Sequence, residues 1–386
     1  MATSLNSTTK NGTANNNTAN NSAWLEWMTA LMSGSSTAGK TQEGESRHTH
    51  AATMPPDRFY CLLDELPVHL IPRRVFKKLL QSDRQETLYL NPECILCVGE
   101  ELPEELVSRR DEFSQFALQG TVAWVRSRAT GNLLPFWLGP QLQRVVRGLR
   151  PNEPVPSSVA GGARRCLAAA DILISDSNFH DNPHAKLQGE DFHQRQPQRQ
   201  YEEMIRKAAL SFREKGYAPL SDLIHPFHVA ALRRYYRYLI RTGAIKLGDG
   251  QTPLRFAAYN EPVARFFHQD IAATLSAVAG EPIKPSYVYM ASYLAGAELK
   301  KHTDRAQCEF SVTLCVDFSP EPGLETPWPI RLDSSAGTVA VYQALGDGLA
   351  YRGTRLPHYR DVLGEGQTST SIFFHYVAED FSGPLQ

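Results

Sequence analysis

The 386-residue sequence has no run of 18 or more apolar residues, so no transmembrane helix is expected. No apolar leader segment follows Met1, which argues against a secretory signal. Cysteine is scarce. Cys61, Cys94, Cys97, Cys166, Cys308 and Cys315 are scattered too thinly for a disulfide scaffold, and the pattern suits a reducing cytoplasm. Charge bias is lacking too: 40 Lys and Arg face 41 Asp and Glu, a net charge of -1. That balance gives no bulk attraction to nucleic acid or to an anionic membrane. There is no phosphate-cradling glycine loop, no Gly-x-Ser-x-Gly elbow and no detectable repeat. What remains is a globular composition, 42% hydrophobic and 21% charged, long enough for one large domain or two ordinary ones.

The chain divides by composition into three parts. Residues 1–54 read as a disordered tail, rich in Asn, Thr and Ser, interrupted by the apolar island "AWLEWMTALM" (23–32). Residues 55–195 read as an accessory region of mixed α and β character. It has a helical pattern over 104–120, a strand over 121–129 and two further helical stretches, and it closes on the polar segment 179–200. Its apolar surface could hold a carrier, a peptide leader or a second copy in a homodimer, or simply cover the rest of the fold. From 196 onward the pattern is stronger. Three amphipathic helices are expected, the last over 260–280 with Asn260 as its cap and Gly280 as its stop. The period then switches to two over 286–295, 308–318, 328–332, 337–344, 348–353 and 369–377. Helices followed by many short strands predict an α+β fold whose core is a helix-buttressed β-barrel or jelly roll.

Within those strands, "KKHTDRAQ" (300–307) places His302 and Asp304 two residues apart, just before a strand-like run. Two histidines and one carboxylate on one face of a metal are the ligand set of a mononuclear Fe(II) site with open positions. His358 in "RLPHYRD" is the natural third ligand, expected from a strand across the barrel mouth. The absence of nearby thiolates argues against structural zinc. A surface charge cluster, with His358 an ordinary turn residue, is the competing reading.

"YLAGAELKKHTD" (293–304) resembles the Tyr-x-x-Gly-x-x-aromatic-x-x-His-x-Asp segment of prolyl-4-hydroxylase-like 2-oxoglutarate/Fe(II) dioxygenases. "GDGLAYRGTRLPHYRD" resembles the strand that leads to their distal histidine, and "FREKGYAPLSDLIHPFHVAALRRYYRYL" their opening strand and helix. The resemblance covers roughly 196–386. It implies a double-stranded β-helix, Fe(II), 2-oxoglutarate and O2, with oxidation of an unactivated C–H bond and release of succinate. It makes His302, Asp304 and His358 the metal ligands and Tyr293 a contact of 2-oxoglutarate. Two departures stand out. Leu299 occupies the aromatic position, and neutral Gln367 and Thr368 stand where many members carry a cation for the far carboxylate of 2-oxoglutarate. A buried carboxylate needs a cation or several hydrogen bonds. Arg360, on the same side of an extended segment as His358, is the expected partner, with Ser369 and Ser371 as hydroxyl donors. Arg352 and Arg355 are rivals, and a surface ion pair of Arg360 with Asp361 or Glu365 is the alternative. Related halogenases replace the carboxylate ligand with a small residue, so Asp304 favours hydroxylation or another oxidation; desaturation, ring closure and epoxidation stay open.

Weaker signals are read as structural. Cys94 and Cys97 form a lone Cys-x-x-Cys without a second pair, so they belong to the core. His180, His184 and His193 sit in a polar loop with no carboxylate geometry to fix a metal, and are read as solvated. The tyrosines of "RYYRYLIR" (234–241) pack beneath an arginine face. The substrate class stays open among small molecules, amino acids and peptides; neither nucleic acid nor membrane is expected. A non-catalytic β-barrel binding module and a cupin-type metal enzyme that does not use 2-oxoglutarate are the competing functions.

Overall fold

A computed structural model describes residues 54–75, 87–127, 130–175, 196–335 and 337–386. The apolar island at 23–32 and the histidines at 180, 184 and 193 lie outside these residues. In the N-terminal part, β1 (Leu88–Leu90), β2 (Cys94–Val98), β3 (Thr121–Arg126), β4 (Leu133–Leu138) and β5 (Leu173–Ser175) form two small antiparallel sheets, β2-β3-β4 and β1-β5. Helices α1 (Pro140–Arg147) and α2 (Gly161–Ala169) pack with them. The helix expected over 104–120 is a 3-10 segment, Glu104–Phe113, broken at Arg109. Only Leu106 and Phe113 of that segment are buried, too few for an amphipathic α-helical face. Cys94 and Cys97 lie in β2, and Cys97 is buried.

The C-terminal part begins with α3 (Gln196–Lys215), β6 (Tyr217–Leu220), α4 (Pro226–Arg241), β7 (Lys246–Leu247) and β8 (Arg255–Tyr259). The apolar stretch at 260–280 divides into α5 (Pro262–Asp270) and α6 (Ala272–Ala279). Its cap is Glu261, not Asn260. The Glu261 carboxylate accepts from the amides of Val263 (3.2 Å) and Ala264 (2.9 Å), while Asn260, at φ 49°, accepts from the amide of Val288. A longer carboxylate also reaches the buried hydroxyls of Tyr235 and Tyr236, which Asn260 does not. Gly280, at φ 76°, ends α6 as its spacing predicted.

Then follow β9 (Ile283–Tyr293), β10 (Leu299–His302), β11 (Phe310–Ser319), β12 (Ile330–Ser334), β13 (Gly337–Val341), β14 (Gly348–Tyr351), β15 (His358–Arg360) and β16 (Thr368–Ala378). They build a seven-stranded sheet, β6-β14-β11-β16-β9-β8-β7, and a four-stranded sheet, β10-β15-β12-β13, antiparallel throughout. In the large sheet Val312, Leu314, Ile372, Phe374, Val288 and Met290 alternate onto one face and join the main apolar core. Ser311, Thr313, Ser371, Phe373, His375, Tyr289 and Tyr293 alternate onto the other. That second face is polar for a buried surface, and it is the face that carries the cavity described below.

Residues within 55–75, 87–127 and 130–175 share the main core. Phe59 meets Tyr235 and Phe267 edge-on, each with ring centroids 6.0 Å apart, and His228 Nε2 lies 2.8 Å from the Pro135 carbonyl. The expected arginine face of α4 is only partly a surface. Arg233 is fully buried, bonded to Asp317 (2.8 Å), Glu321 and the Leu70 carbonyl (2.6 Å).

Candidate metal centre

The two histidines meet because β10 and β15 are neighbours. His302 stands directly opposite His358, and Leu299 opposite Arg360. The distal histidine therefore comes from the adjacent, hydrogen-bonded strand, not from across the mouth. A cross-strand pair brings two side chains together without any long reach, and the rings lie 4.4 Å apart. Asp304 follows in the loop after β10, pinned where its amide donates to the Gly353 carbonyl (2.9 Å). Its Oδ1 lies 3.6 Å from His302 Nε2 and 3.5 Å from His358 Nε2. The other ring nitrogens are committed: Nδ1 of His302 faces the Lys300 carbonyl at 2.7 Å, and Nδ1 of His358 the Leu356 carbonyl at 2.9 Å. A carbonyl only accepts, so each Nδ1 carries the hydrogen and each Nε2 turns a lone pair toward Asp304.

Electrostatics follow the same geometry. Burial would raise the Asp304 carboxyl, but hydrogen bonds from His302 and His358, made when a proton stands on each Nε2 in the place a metal would take, outweigh it and hold the group far below the usual carboxylate range. The bond to Asp304 in turn raises His302. The second carboxylate oxygen, Oδ2, accepts from the Ser311 hydroxyl (3.0 Å). Gly353 closes over the same carboxylate. A Cβ there would stand 2.5 Å from the Cys308 carbonyl and 2.8 Å from Ser311 Oγ, and closer still to Asp304 Oδ2.

The site opens on a cavity of about 580 Å³. Its walls include Arg255, Tyr259, Tyr287, Tyr289, Tyr293 and His375 from the large sheet, and Leu299, His302 and His358 from the small one. Tyr293 is buried, accepts from Arg255 Nη1 (3.1 Å) and packs edge-on against Trp328. Leu299, at the expected aromatic position, is a wall residue.

Arg360 is 4% exposed and shares the inward side of β15 with His358. Its Nη1 donates to the Trp328 carbonyl (2.6 Å), its Nη2 lies 3.4 Å from Gln343 Oε1, and its plane sits 4.7 Å over the Trp328 ring. Its Nε has no partner, and no carboxylate among the described residues pairs with it. Burial alone lowers the affinity of this guanidinium for its proton. The surface ion pair does not form: Asp361 binds Arg331 (2.6 Å) instead. Of the rivals, Arg352 lies over Phe212 and Phe310, 3.7 Å from Glu281, and Arg355 is exposed. Ser369 and Ser371 are buried on β16, opposite Tyr293 and Ala291 respectively. Like Arg360 they are not on the cavity wall.

Sequence reading missed several participants. Arg255 sits on β8, a strand without a clear period, and is neutralised by Asp249 (2.5 Å). Ser311 and His375 lie at alternate positions of predicted strands, and that alternation was the available signal. Asp304, Cys308 and His375 form a second group of potential ligands. Burial pushes the Cys308 thiol up to about 12, and the Ser311 hydroxyl bonds both Asp304 and His375, so this group is already satisfied without an ion. Two bare imidazole nitrogens and a carboxylate fit a divalent transition metal such as Fe(II). A buried, unpaired guanidinium fits a carboxylate ligand.

Neither a family model nor a curated protein matches the sequence. Solved structures do. The non-heme alpha-ketoglutarate-dependent epimerase SnoN from nogalamycin biosynthesis is 13% identical, with TM-score 0.39 over 45% of this chain and 80% of that one. A Pseudomonas putida prolyl-4-hydroxylase is 14% identical, with TM-score 0.38 over 46% of this chain and 100% of that one. HygX from Streptomyces hygroscopicus, solved with nickel and 2-oxoglutarate bound, is 11% identical, with TM-score 0.38 over 46% of this chain and 88% of that one.

Proposed function

We propose that this chain is a double-stranded β-helix oxygenase that uses Fe(II), 2-oxoglutarate and O2 to hydroxylate or otherwise oxidise a small molecule, amino acid or peptide. The observation that carries the reading is the convergence of His302 Nε2, His358 Nε2 and Asp304 Oδ1, with both Nδ1 hydrogens already spent on backbone carbonyls. These three atoms would hold the metal. When bound, the iron and its co-substrate supply oxidation of a C–H bond by O2, with 2-oxoglutarate decarboxylated to succinate.

The chain's own contribution is positioning. Lys300 and Leu356 fix the imidazole tautomers, and Ser311 and Gly353 fix the rotation of the Asp304 carboxylate. Arg360 is the anchor for the far carboxylate of 2-oxoglutarate. A buried cation without a counter-ion costs several kcal/mol, and an entering carboxylate would relieve that cost. Tyr293 is the hydroxyl nearest this role, with Ser369 and Ser371 beside it on β16. The presence of Asp304, in place of a small residue, favours oxygen chemistry over halogenation. Arg360 also weighs against the idle binding module, whose support was a missing anchor cation. The accessory segment buttresses the helices behind the large sheet.

The test is calorimetric titration of 2-oxoglutarate into anaerobic protein with and without Mn(II). Saturable binding that requires the metal, weakened about 10–100-fold in Arg360→Gln with Mn(II) binding retained, is expected. Metal-independent binding, or none, contradicts the reading.

A further inference from the structure

The chain that runs away from Asp304 ends in the cavity, and its hydrogens can be assigned. Ser311 Oγ lies 3.0 Å from Asp304 Oδ2, 2.9 Å from His375 Nδ1 and 3.3 Å from the Cys308 carbonyl. A carboxylate and a carbonyl only accept, so the single Ser311 hydrogen goes to one of them. The shorter contact, to the charged acceptor, is the stronger. Were that hydrogen turned to His375 instead, Asp304 Oδ2 would face a bare hydroxyl oxygen at 3.0 Å. Ser311 must therefore accept from His375, and His375 carries its hydrogen on Nδ1. Ser311 is fully buried, so water does not compete for this arrangement.

A neutral imidazole with Nδ1–H has a lone pair on Nε2. His375 is a wall residue of the cavity, next to Tyr287 at 4.6 Å between ring centroids. The ring is 6% exposed, and no carboxylate is bonded to it directly. Several other polar wall groups are committed within the wall: Asp249 accepts from Arg255 and from the Tyr289 hydroxyl, and the Tyr287 hydroxyl accepts from Arg305 (3.2 Å) and meets Cys308 Sγ (3.0 Å). His375 differs in presenting an acceptor whose polarity is dictated from the metal ligand itself.

We propose that His375 is a substrate-positioning residue: its Nε2 accepts a hydrogen bond from a hydroxyl or N–H of the substrate, which is therefore a donor-bearing molecule held against the tyrosine wall. The inference rests on the proposed function only in taking this cavity as the substrate's. The stacked pair Tyr259 and Tyr287, 5.0 Å apart with Tyr259 exposed at the mouth, supplies an aromatic surface beside it.

Two experiments test this on the full chain loaded with Zn(II). Long-range proton–nitrogen correlation spectra of protein labelled with 15N-histidine should show the His375 signal as the Nδ1–H tautomer, and the signal is identified by its loss in His375→Gln and its change in Ser311→Ala. An Nε2–H tautomer overturns the proposal. The second experiment measures binding of 2-naphthol and of 2-methoxynaphthalene by their fluorescence. The naphthol should bind about 10-fold more tightly, because only it can donate. That advantage should vanish in His375→Leu and persist in Lys207→Gln, an exposed change on α3 outside the cavity wall. Equal binding of the pair, binding of neither, or an advantage that survives His375→Leu refutes it. Failure of 2-oxoglutarate to bind would leave both readouts unchanged, so the two readings fail separately.

Discussion

Gly353→Ala is the sharpest perturbation of the candidate metal centre that replaces none of its proposed ligands. The added Cβ would lie 2.5 Å from the Cys308 carbonyl oxygen and 2.8 Å from Ser311 Oγ, and nearer still to Asp304 Oδ2. Separations under about 3 Å between non-bonded heavy atoms without a hydrogen bond are not tolerated, so something must move. The Cys308 carbonyl is main chain, held in the turn whose Cys308 amide bonds the Arg305 carbonyl (2.9 Å). The Asp304 carboxylate is the softer neighbour and will rotate. Two effects follow. Overpacking should cost about 1–3 kcal/mol of stability, read by urea unfolding of the metal-free protein. Displacing a ligand carboxylate from its Ser311 support should weaken Mn(II) binding about 10–100-fold by calorimetry. An alanine variant with wild-type metal affinity would refute the claim that Gly353 sets the Asp304 position.

Arg233→Ala should cost about 1–3 kcal/mol in chemical denaturation, because it leaves the Leu70 carbonyl without its partner while Arg237 still holds Asp317; no measurable cost would contradict that. Arg360→Gln should cost little stability, since it removes a buried charge with no counter-ion; a large loss measured in the same way would mean that the guanidinium serves the fold and not a ligand. Acid should destabilise the protein early. Burial lowers His225 to about 4 and His228 and His268 to about 3, while the unfolded chain binds those protons near 6.5. Below that pH the unfolded state holds more protons, so stability is complete above about 6.5 and falls as pH drops toward 3–4. Each histidine contributes up to about 1.4 kcal/mol per pH unit. A urea midpoint that stays flat from pH 7 to 4.5 would show that these rings are not buried neutral.

Much of the C-terminal fold was legible because its strands alternate and are punctuated by Gly, Pro and Asp. The strands expected over 308–318 and 369–377 appear as Phe310–Ser319 and Thr368–Ala378. His302, Asp304 and His358 could be proposed as ligands from residue type and order alone, but their meeting, which the structure shows, could not. Which strands pair is a property of the whole sheet, so the adjacency of β10 and β15 had no local signature. The same holds for Arg233, whose partners Asp317 and Glu321 lie 84 and 88 residues away. Helix 260–280 was legible as apolar spacing. Its division near Ile271 and its Glu261 cap depend on Tyr235 and Tyr236, which only tertiary packing brings near. Arg360 was legible through the alternation of an extended segment, and its lack of a counter-ion was not, because that depends on every neighbour at once.

The most direct measurement is anaerobic titration of the Fe(II) protein with 2-oxoglutarate, followed by visible absorption. Chelation by 2-oxoglutarate at open positions of a two-histidine, one-carboxylate site should produce a weak charge-transfer band, absent in His302→Ala and reached only at higher 2-oxoglutarate in Arg360→Gln. Iron bound without any such band would contradict the account and leave a metal enzyme that does not use 2-oxoglutarate; no iron binding at all would refute the assignment of His302, Asp304 and His358 as ligands.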